Sequence, residues 1–233
     1  MPQARYDDIA DFYTAGFDST DDSVSQAFLG LLGPVDGLRV LDVACGHGRI
    51  TREIARRGAD VTGIDISQNL LSKAFSTERS QPLAIRYVHG DISAAGVLGD
   101  SEFDTVTCNF GLSDIDDLDG AITSVSGALR PGGSFVFCIL HPCFPGDGDV
   151  ISGAWPADGR YYDEGHWFAR GARSGLRHRV GANHRMLSTY LNTLSAHGLL
   201  VDRVAEPEPS PDWDPAHYAD RMPVFFVARA RKL

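Results

Sequence analysis

Between residues 38 and 141 five apolar runs alternate with amphipathic segments, and this alternation constrains the fold more than anything else in the chain. LRVLDVA (38–44), DVTGID (60–65), AIRYVHGD (84–91), FDTVTCNF (103–110) and SFVFCILH (134–141) read as strands. Helical patterns fall between them at 48–58, 67–79 and 115–129, with Ser67 as an N-cap and RPGG as a stop. Near-continuous apolar strands joined by helices make a parallel sheet covered on both faces, an α/β fold. Two further strands, LLVDRVAE and VFFVARA (224–230), have no helix between them, so the seventh can enter the sheet antiparallel.

The remaining segments organise around that sheet. Helices at 5–15 and 21–33 precede it, and residues 142–182 lose all periodicity while gaining Gly, Arg and aromatics. The whole chain, 1–233, then reads as one domain: N-terminal helices (1–34), a ligand-binding core (35–141), a cover over the site (142–182) and a last section (183–233). Asn183 is expected to cap a helix running to His197, and a Pro-rich loop fills 206–223.

Bulk properties exclude several classes. A formal charge of −10 argues against a nucleic-acid partner, because phosphate binding needs a clustered basic surface. No apolar run approaches the ~20 residues that cross a bilayer, and MPQARYDDIADFY has no apolar signal core, so a cytoplasmic protein without membrane contact is expected. The four cysteines form no CxxC pair, and Cys108 and Cys138 read as buried thiols in strands. No His/Asp/Glu cluster has metal-binding spacing, so no metal is expected.

The first strand ends in VLDVACGHGRI, a tight glycine turn of the kind that holds dinucleotides. Their GxGxxG pattern fails here: Gly46 and Gly48 are followed by Thr51, not by a third glycine. Asp42, at the end of the strand, would repel a pyrophosphate but suits a ligand that carries positive charge, such as the sulfonium and ammonium of S-adenosylmethionine. Asp65 ends the second strand, where a carboxylate accepts from ribose hydroxyls. Asp91 ends the third, placed to accept from an adenine amino group. Three carboxylates at the carboxyl ends of successive strands lie where open α/β sheets bind ligands.

VLDVACGHGRITREIARRGADVTGIDIS, YVHGDIS, FDTVTCNFGLSDIDD and LRPGGSFVFCILHP together resemble the class I S-adenosylmethionine-dependent methyltransferases over residues 35–141. The tail NHRMLSTYLNTLSAHGLLVDRVAEPEP is similar to the small-molecule branch of that family. The resemblance implies a Rossmann-like, seven-stranded, mostly parallel sheet with an antiparallel last strand. It implies S-adenosylmethionine as cofactor and S-adenosylhomocysteine as product. Asp42, Ala44, Gly46 and Gly48 would hold the methionine portion, with Ala44 standing where many members carry glycine. Asp65 and Ile66 would hold ribose and adenine, Asp91 and Ile92 the adenine, while Asn109, Phe110 and Gly111 would border the amino-acid end and the methyl. Tyr6 and Tyr13 are the candidates for an aromatic lid over the cofactor.

Methyl transfer is an in-line displacement in which alignment supplies much of the rate, and a hydroxyl acceptor gains from a general base. His141, at the end of the fifth strand before Pro142, is the first candidate base, then His184 and His166. NFGL replaces the Asn/Asp-Pro-Pro-aromatic motif of enzymes that methylate adenine or glutamine nitrogens, so a small molecule is the expected acceptor. Trp155, Tyr161, Tyr162, Trp167 and Phe168 would enclose a flat acceptor, with Arg160, Arg170, Arg173, Arg177, Arg179 and Arg185 to grip an anionic group. Asp114, Asp116, Asp117 and Asp119 read as helix N-terminal charge on a solvent face. The reading is an O- or N-methyltransferase, monomer or homodimer. The alternatives are an NAD(P) oxidoreductase, a cyclase or lyase on the same cofactor, or a non-catalytic partner subunit.

Overall fold

A computed structural model describes residues 4–99, 102–144, 153–155, 159–169, 175–208 and 223–233. Strands β1 (Arg39–Val43), β2 (Asp60–Asp65), β3 (Arg86–His89), β4 (Phe103–Asn109), β5 (Leu129–Leu140), β8 (Leu199–Ala205) and β9 (Phe225–Lys232) form one sheet ordered β3-β2-β1-β4-β5-β9-β8. The first five pair in parallel, and β9 lies antiparallel between β5 and β8. Strand order reverses between β1 and β4, which places a crevice at their carboxyl ends.

Helices α1 (Ala10–Gly16), α2 (Ser23–Leu32), α3 (Arg49–Arg56), α4 (Gln68–Ser80), α5 (Leu118–Ala128) and α7 (Leu187–Ala196) surround the sheet. Alternating strand residues feed two cores. Leu41, Val106 and Phe137 pack with Ile122 and Val125 of α5 and Leu194 of α7 on one face. Val40, Val61 and Val136 pack with Phe28 of α2 and Ile54 of α3 on the other. Period-two strands buried on both sides explain the unbroken apolar runs.

Local rules set most boundaries. Asp22 caps α2 by accepting from Ser25 N–H, Ser67 caps α4 through Leu70 N–H, and Asp117 caps α5 through Gly120 N–H. Gly33 closes α2 with φ +74°. The expected helix at 115–129 starts later, at Leu118, and β5 begins at Leu129, with a register shift beside RPGG.

The cover segment has more structure than its sequence predicts: β6 (Gly165–Trp167), α6 (Gly175–Val180) and β7 (Ala182–His184), with β6 and β7 paired antiparallel. Asn183 is therefore in a strand and caps no helix. Its amide donates to the Ser113 and Ile115 carbonyls and to Asp116, while α7 starts after Met186. Arg170, Arg173 and most of the Pro-rich loop lie outside the described residues.

Candidate active site

The glycine turn after β1 is held in left-handed backbone at Ala44 (φ 54°), Gly46 (φ 57°) and Gly48 (φ 91°). That conformation costs an L-residue ~1–2 kcal/mol, which accounts for the glycines and marks Ala44 as a strained substitute. Gly46 N–H donates to Asp65 Oδ2 at 2.7 Å and Ser67 N–H donates to Asp65 Oδ1 at 2.7 Å, so the acid at the end of β2 fastens the turn and starts α4. Gly48 serves packing: a Cβ there would lie 2.3 Å from the Tyr87 hydroxyl.

Above this turn lies a cavity of about 660 Å³, within the ~300–1,000 Å³ range of small-molecule sites. Ala44, Gly46, Asp65, Ile66, Asp91 and Ile92 wall one half, and Asn109, Phe110, Gly111, Leu140 and Phe225 the other. Tyr6 and Tyr13 close it from the N-terminal side. Tyr13 leans on His47 of the glycine turn and stacks on Phe17, with Tyr6 edge-on to it at 5.1 Å.

The three acids differ in role. Asp65 is buried at the cavity wall, and burial pushes its carboxyl up to about 6 against two backbone hydrogen bonds. Each oxygen keeps lone pairs for further donors. Asp91 is also at the wall, its Oδ1 accepting from Ser93 N–H and Oγ–H. Asp42 is not. It is 2% exposed, and its oxygens accept from Thr51 (2.6 Å) and from Thr107 (2.8 Å), its register partner on β4. Burial pushes its carboxyl up to about 6 too. Asp42 thus ties α3 and β4 to β1 from beneath the turn, and Gly48 joins it away from the cavity.

Phe110 holds φ 62° and meets Phe225 edge-on at 5.9 Å. Gly111 is required by close approach, since a Cβ there would lie 2.4 Å from Ala44 Cβ. Asn109, beside them, has a buried side-chain amide with no hydrogen-bond partner on either atom. An adenosyl ligand fits this wall: carboxylates with free lone pairs for hydroxyl and amino donors, Ile66 and Ile92 for a flat ring, and an orphaned amide that a polar group would satisfy.

The second half holds Arg5, which the sequence reading missed, and gives residues it named other roles. Asp114 accepts from the Tyr6 hydroxyl at 2.9 Å and from Arg177 of α6 at 2.6 Å, while its carbonyl accepts from Arg5. Arg5 also pairs with Asp116, and Arg185 donates to the carbonyls of Leu112, Ile115 and Asp116. Of the four clustered acids only Asp117 and Asp119 sit at the start of α5, as the sequence had all four. Asp114 and Asp116 instead pin the N-terminal segment and the cover. These contacts join residues 108 and 63 positions apart, and no local pattern announces them.

The candidate bases lie elsewhere. His141 is buried, with Cys143 N–H donating to Nδ1 and Nε2 facing Glu206 at 3.0 Å, and burial lowers its pKa although Glu206 opposes this. His184 sits in β7, where Nε2 donates to the Tyr161 carbonyl. His166 is exposed on β6. No described histidine lines the cavity. Among the described residues no acid, histidine or cysteine group could hold a metal, and no helix is long and apolar enough to cross a membrane.

A Rossmann-like sheet with a ligand crevice at its switch point, a glycine turn and an acid at the end of β2 define an adenosyl-binding α/β protein. Residues 41–137 match the model of a methyltransferase domain, and this match together with the solved structure below supports the class I S-adenosylmethionine-dependent methyltransferase family. A solved S-adenosylmethionine-dependent methyltransferase from Mesorhizobium loti is 29% identical, with 90% of this chain and 98% of that chain covered and a TM-score of 0.73. A demethylmenaquinone methyltransferase from Tropheryma whipplei is 38% identical over 48% of this chain and 46% of its own. A ubiquinone biosynthesis O-methyltransferase from Alkalilimnicola ehrlichii is 34% identical over 47% and 44%. The chain spans about half the length of these curated relatives.

Proposed function

We propose that this protein moves the methyl group of S-adenosylmethionine to a small-molecule acceptor by in-line displacement, as an O- or N-methyltransferase. The observation that carries the reading is the cavity that runs from Asp65 and Asp91 over β2 and β3 to Phe110 and Phe225 over β4 and β9. Its volume of about 660 Å³ suits small-molecule ligands, and Asn109 and Gly111 lie on its wall between the two groups. When bound, the sulfonium supplies an electrophilic methyl group.

The chain's own residues bind, orient and exclude water. Asp65 accepts from ribose hydroxyls, Ile66, Asp91 and Ile92 hold the adenine, and Ala44 and Gly46 let the backbone approach the methionine portion. Tyr6 and Tyr13 line the N-terminal side, and alignment of the two reactants in the cavity supplies much of the rate. Where an acceptor loses a proton, the cavity offers a carboxylate, Asp114 among them, rather than an imidazole. The relatives named for demethylmenaquinone and ubiquinone biosynthesis support a small-molecule acceptor.

Calorimetry with S-adenosylhomocysteine and with NADH tests the donor, and binding of the former alone is expected. Incubation with S-adenosylmethionine and an acceptor panel tests the reaction: S-adenosylhomocysteine should accumulate only when acceptor is added. Donor binding with no accumulation for any acceptor would favour the cyclase, lyase or partner-subunit reading.

A further inference from the structure

We infer that the half of the cavity over β4, β5 and β9 selects an uncharged, flat aromatic acceptor, and that its arginines are struts of the wall rather than ligands for an anion. The inference rests on the methyltransferase reading above and narrows the substrate class.

Shape comes from phenyl rings. Phe110 and Phe225 meet edge-on at the inner wall, beside Leu140 and Val24. Phe12 and Phe17 of the N-terminal segment line the same cavity yet stay 44% and 43% exposed. Phe225 is buried, Phe110 half-buried, and Arg179 lies 4.7 Å from the Phe12 ring centroid. The phenyl surface left bare is apolar surface that a planar guest would cover, at roughly 25 cal/mol per Å². Offset or edge-on ring contacts add about 0.5–1.5 kcal/mol per pair.

Charge selection follows from how the guanidiniums are engaged. Arg5, Arg49 and Arg177 line the cavity, as do Asp18, Asp22 and Asp114, so this part of the wall carries no surplus positive charge. Arg177 is 5% exposed and donates to Asp114 and to the Gly181 carbonyl. Arg49 donates to the Ser19 carbonyl and Ser25 Oγ and lies 3.5 Å from Asp22. Arg5 is held by Asp116 and the Asp114 carbonyl. An acceptor carboxylate entering here would lose its water and, among the described residues, find each cavity arginine already bonded to the protein. An uncharged acceptor avoids that penalty.

The test is a matched pair of probes on protein saturated with S-adenosylhomocysteine: hydroxyquinoline and the same ring bearing a carboxylate, titrated by calorimetry. The uncharged ring should bind at least about tenfold tighter, and Phe12→Ala should weaken it about fivefold. Equal or tighter binding of the carboxylate, binding of neither probe, or indifference to Phe12→Ala overturns the inference. Heat from S-adenosylhomocysteine is read first. Its absence removes the methyltransferase reading itself, whereas its presence with a failed probe pair removes only the acceptor assignment.

Discussion

The two halves of the cavity wall are built by different physics. Beside β1, β2 and β3 the wall is backbone in left-handed turns and an acid that accepts from amides only 19 and 2 positions away. On the far side the wall is made of side chains brought together from remote segments, Tyr6 and Arg177 meeting at Asp114. The first half is part of the sheet and falls only with it. The second is a clasp between the N-terminal segment and the cover, held by side-chain contacts outside the sheet.

Arg177→Ala should give the largest effect and break the clasp. It strands the Asp114 carboxylate without its cation, a loss of about 3–5 kcal/mol for a buried pair. That loss should appear as local opening: hydrogen exchange in α1 and α6 accelerates about a hundredfold or more while amides of β1, β4 and β5 keep their protection. Equal acceleration in the strands would show that both halves unfold together and would end the distinction.

Gly48→Ala attacks the glycine turn that carries the other half. Alanine at φ 91°, with its Cβ 2.3 Å from the Tyr87 hydroxyl, should lower global stability by about 2–4 kcal/mol, read from the urea midpoint. Adding Tyr87→Phe should return part of the loss, because that hydroxyl is buried without a partner. No recovery would place the whole cost in the backbone.

The same division decides what was legible in the sequence. Strand runs, the cap at Ser67, the glycine turn and the acids Asp65 and Asp91 all follow from periodicities and spacings within a few residues. Asp42 was legible as an acid at a strand end but not in its role, because its partner Thr107 is set by the parallel register of β1 and β4. Asn183 looked like a helix cap because Asn is a good one; pairing with β6 holds it in a strand instead, and its Nδ2 donates to the carbonyls of Ser113 and Ile115, 70 and 68 positions away. Arg177 read as a substrate ligand because sequence shows a charge and hides its counter-charge, here Asp114.

Asp65 sharpens the contrast through pH. Its two oxygens each take a backbone N–H, an arrangement that needs the ionised form, while burial pushes its carboxyl from 3.8 to about 6. A raised carboxyl pKa means the folded state holds its proton longer than the unfolded chain, so this group's contribution to stability falls as pH rises from about 4 to about 6. Ligand binding runs the other way. Ribose hydroxyls favour the carboxylate, so affinity for S-adenosylhomocysteine should weaken as pH drops below about 6, by up to about tenfold per unit. Asp65→Asn should flatten that profile and weaken binding about 10–100-fold at pH 7. A profile unchanged by the substitution would move the titration to another wall group.

His141 gives the smallest expected effect and the sharpest check on the clasped half. Its position at the end of β5 looks catalytic, yet its ring nitrogens face Cys143 N–H and Glu206 and burial keeps the imidazole below its usual pKa. The geometry makes it a tie between β5 and the chain leaving β8. His141→Gln keeps a donor and an acceptor on the side chain, so the variant should lose about 1 kcal/mol of stability and hold turnover within about twofold. Turnover falling more than about tenfold in a folded variant with unchanged S-adenosylhomocysteine affinity would instead assign proton transfer to the rim of β5. The cavity would then have to extend to His141 during the reaction, and the clasp would be a moving part of the chemistry rather than a fixed wall beside it.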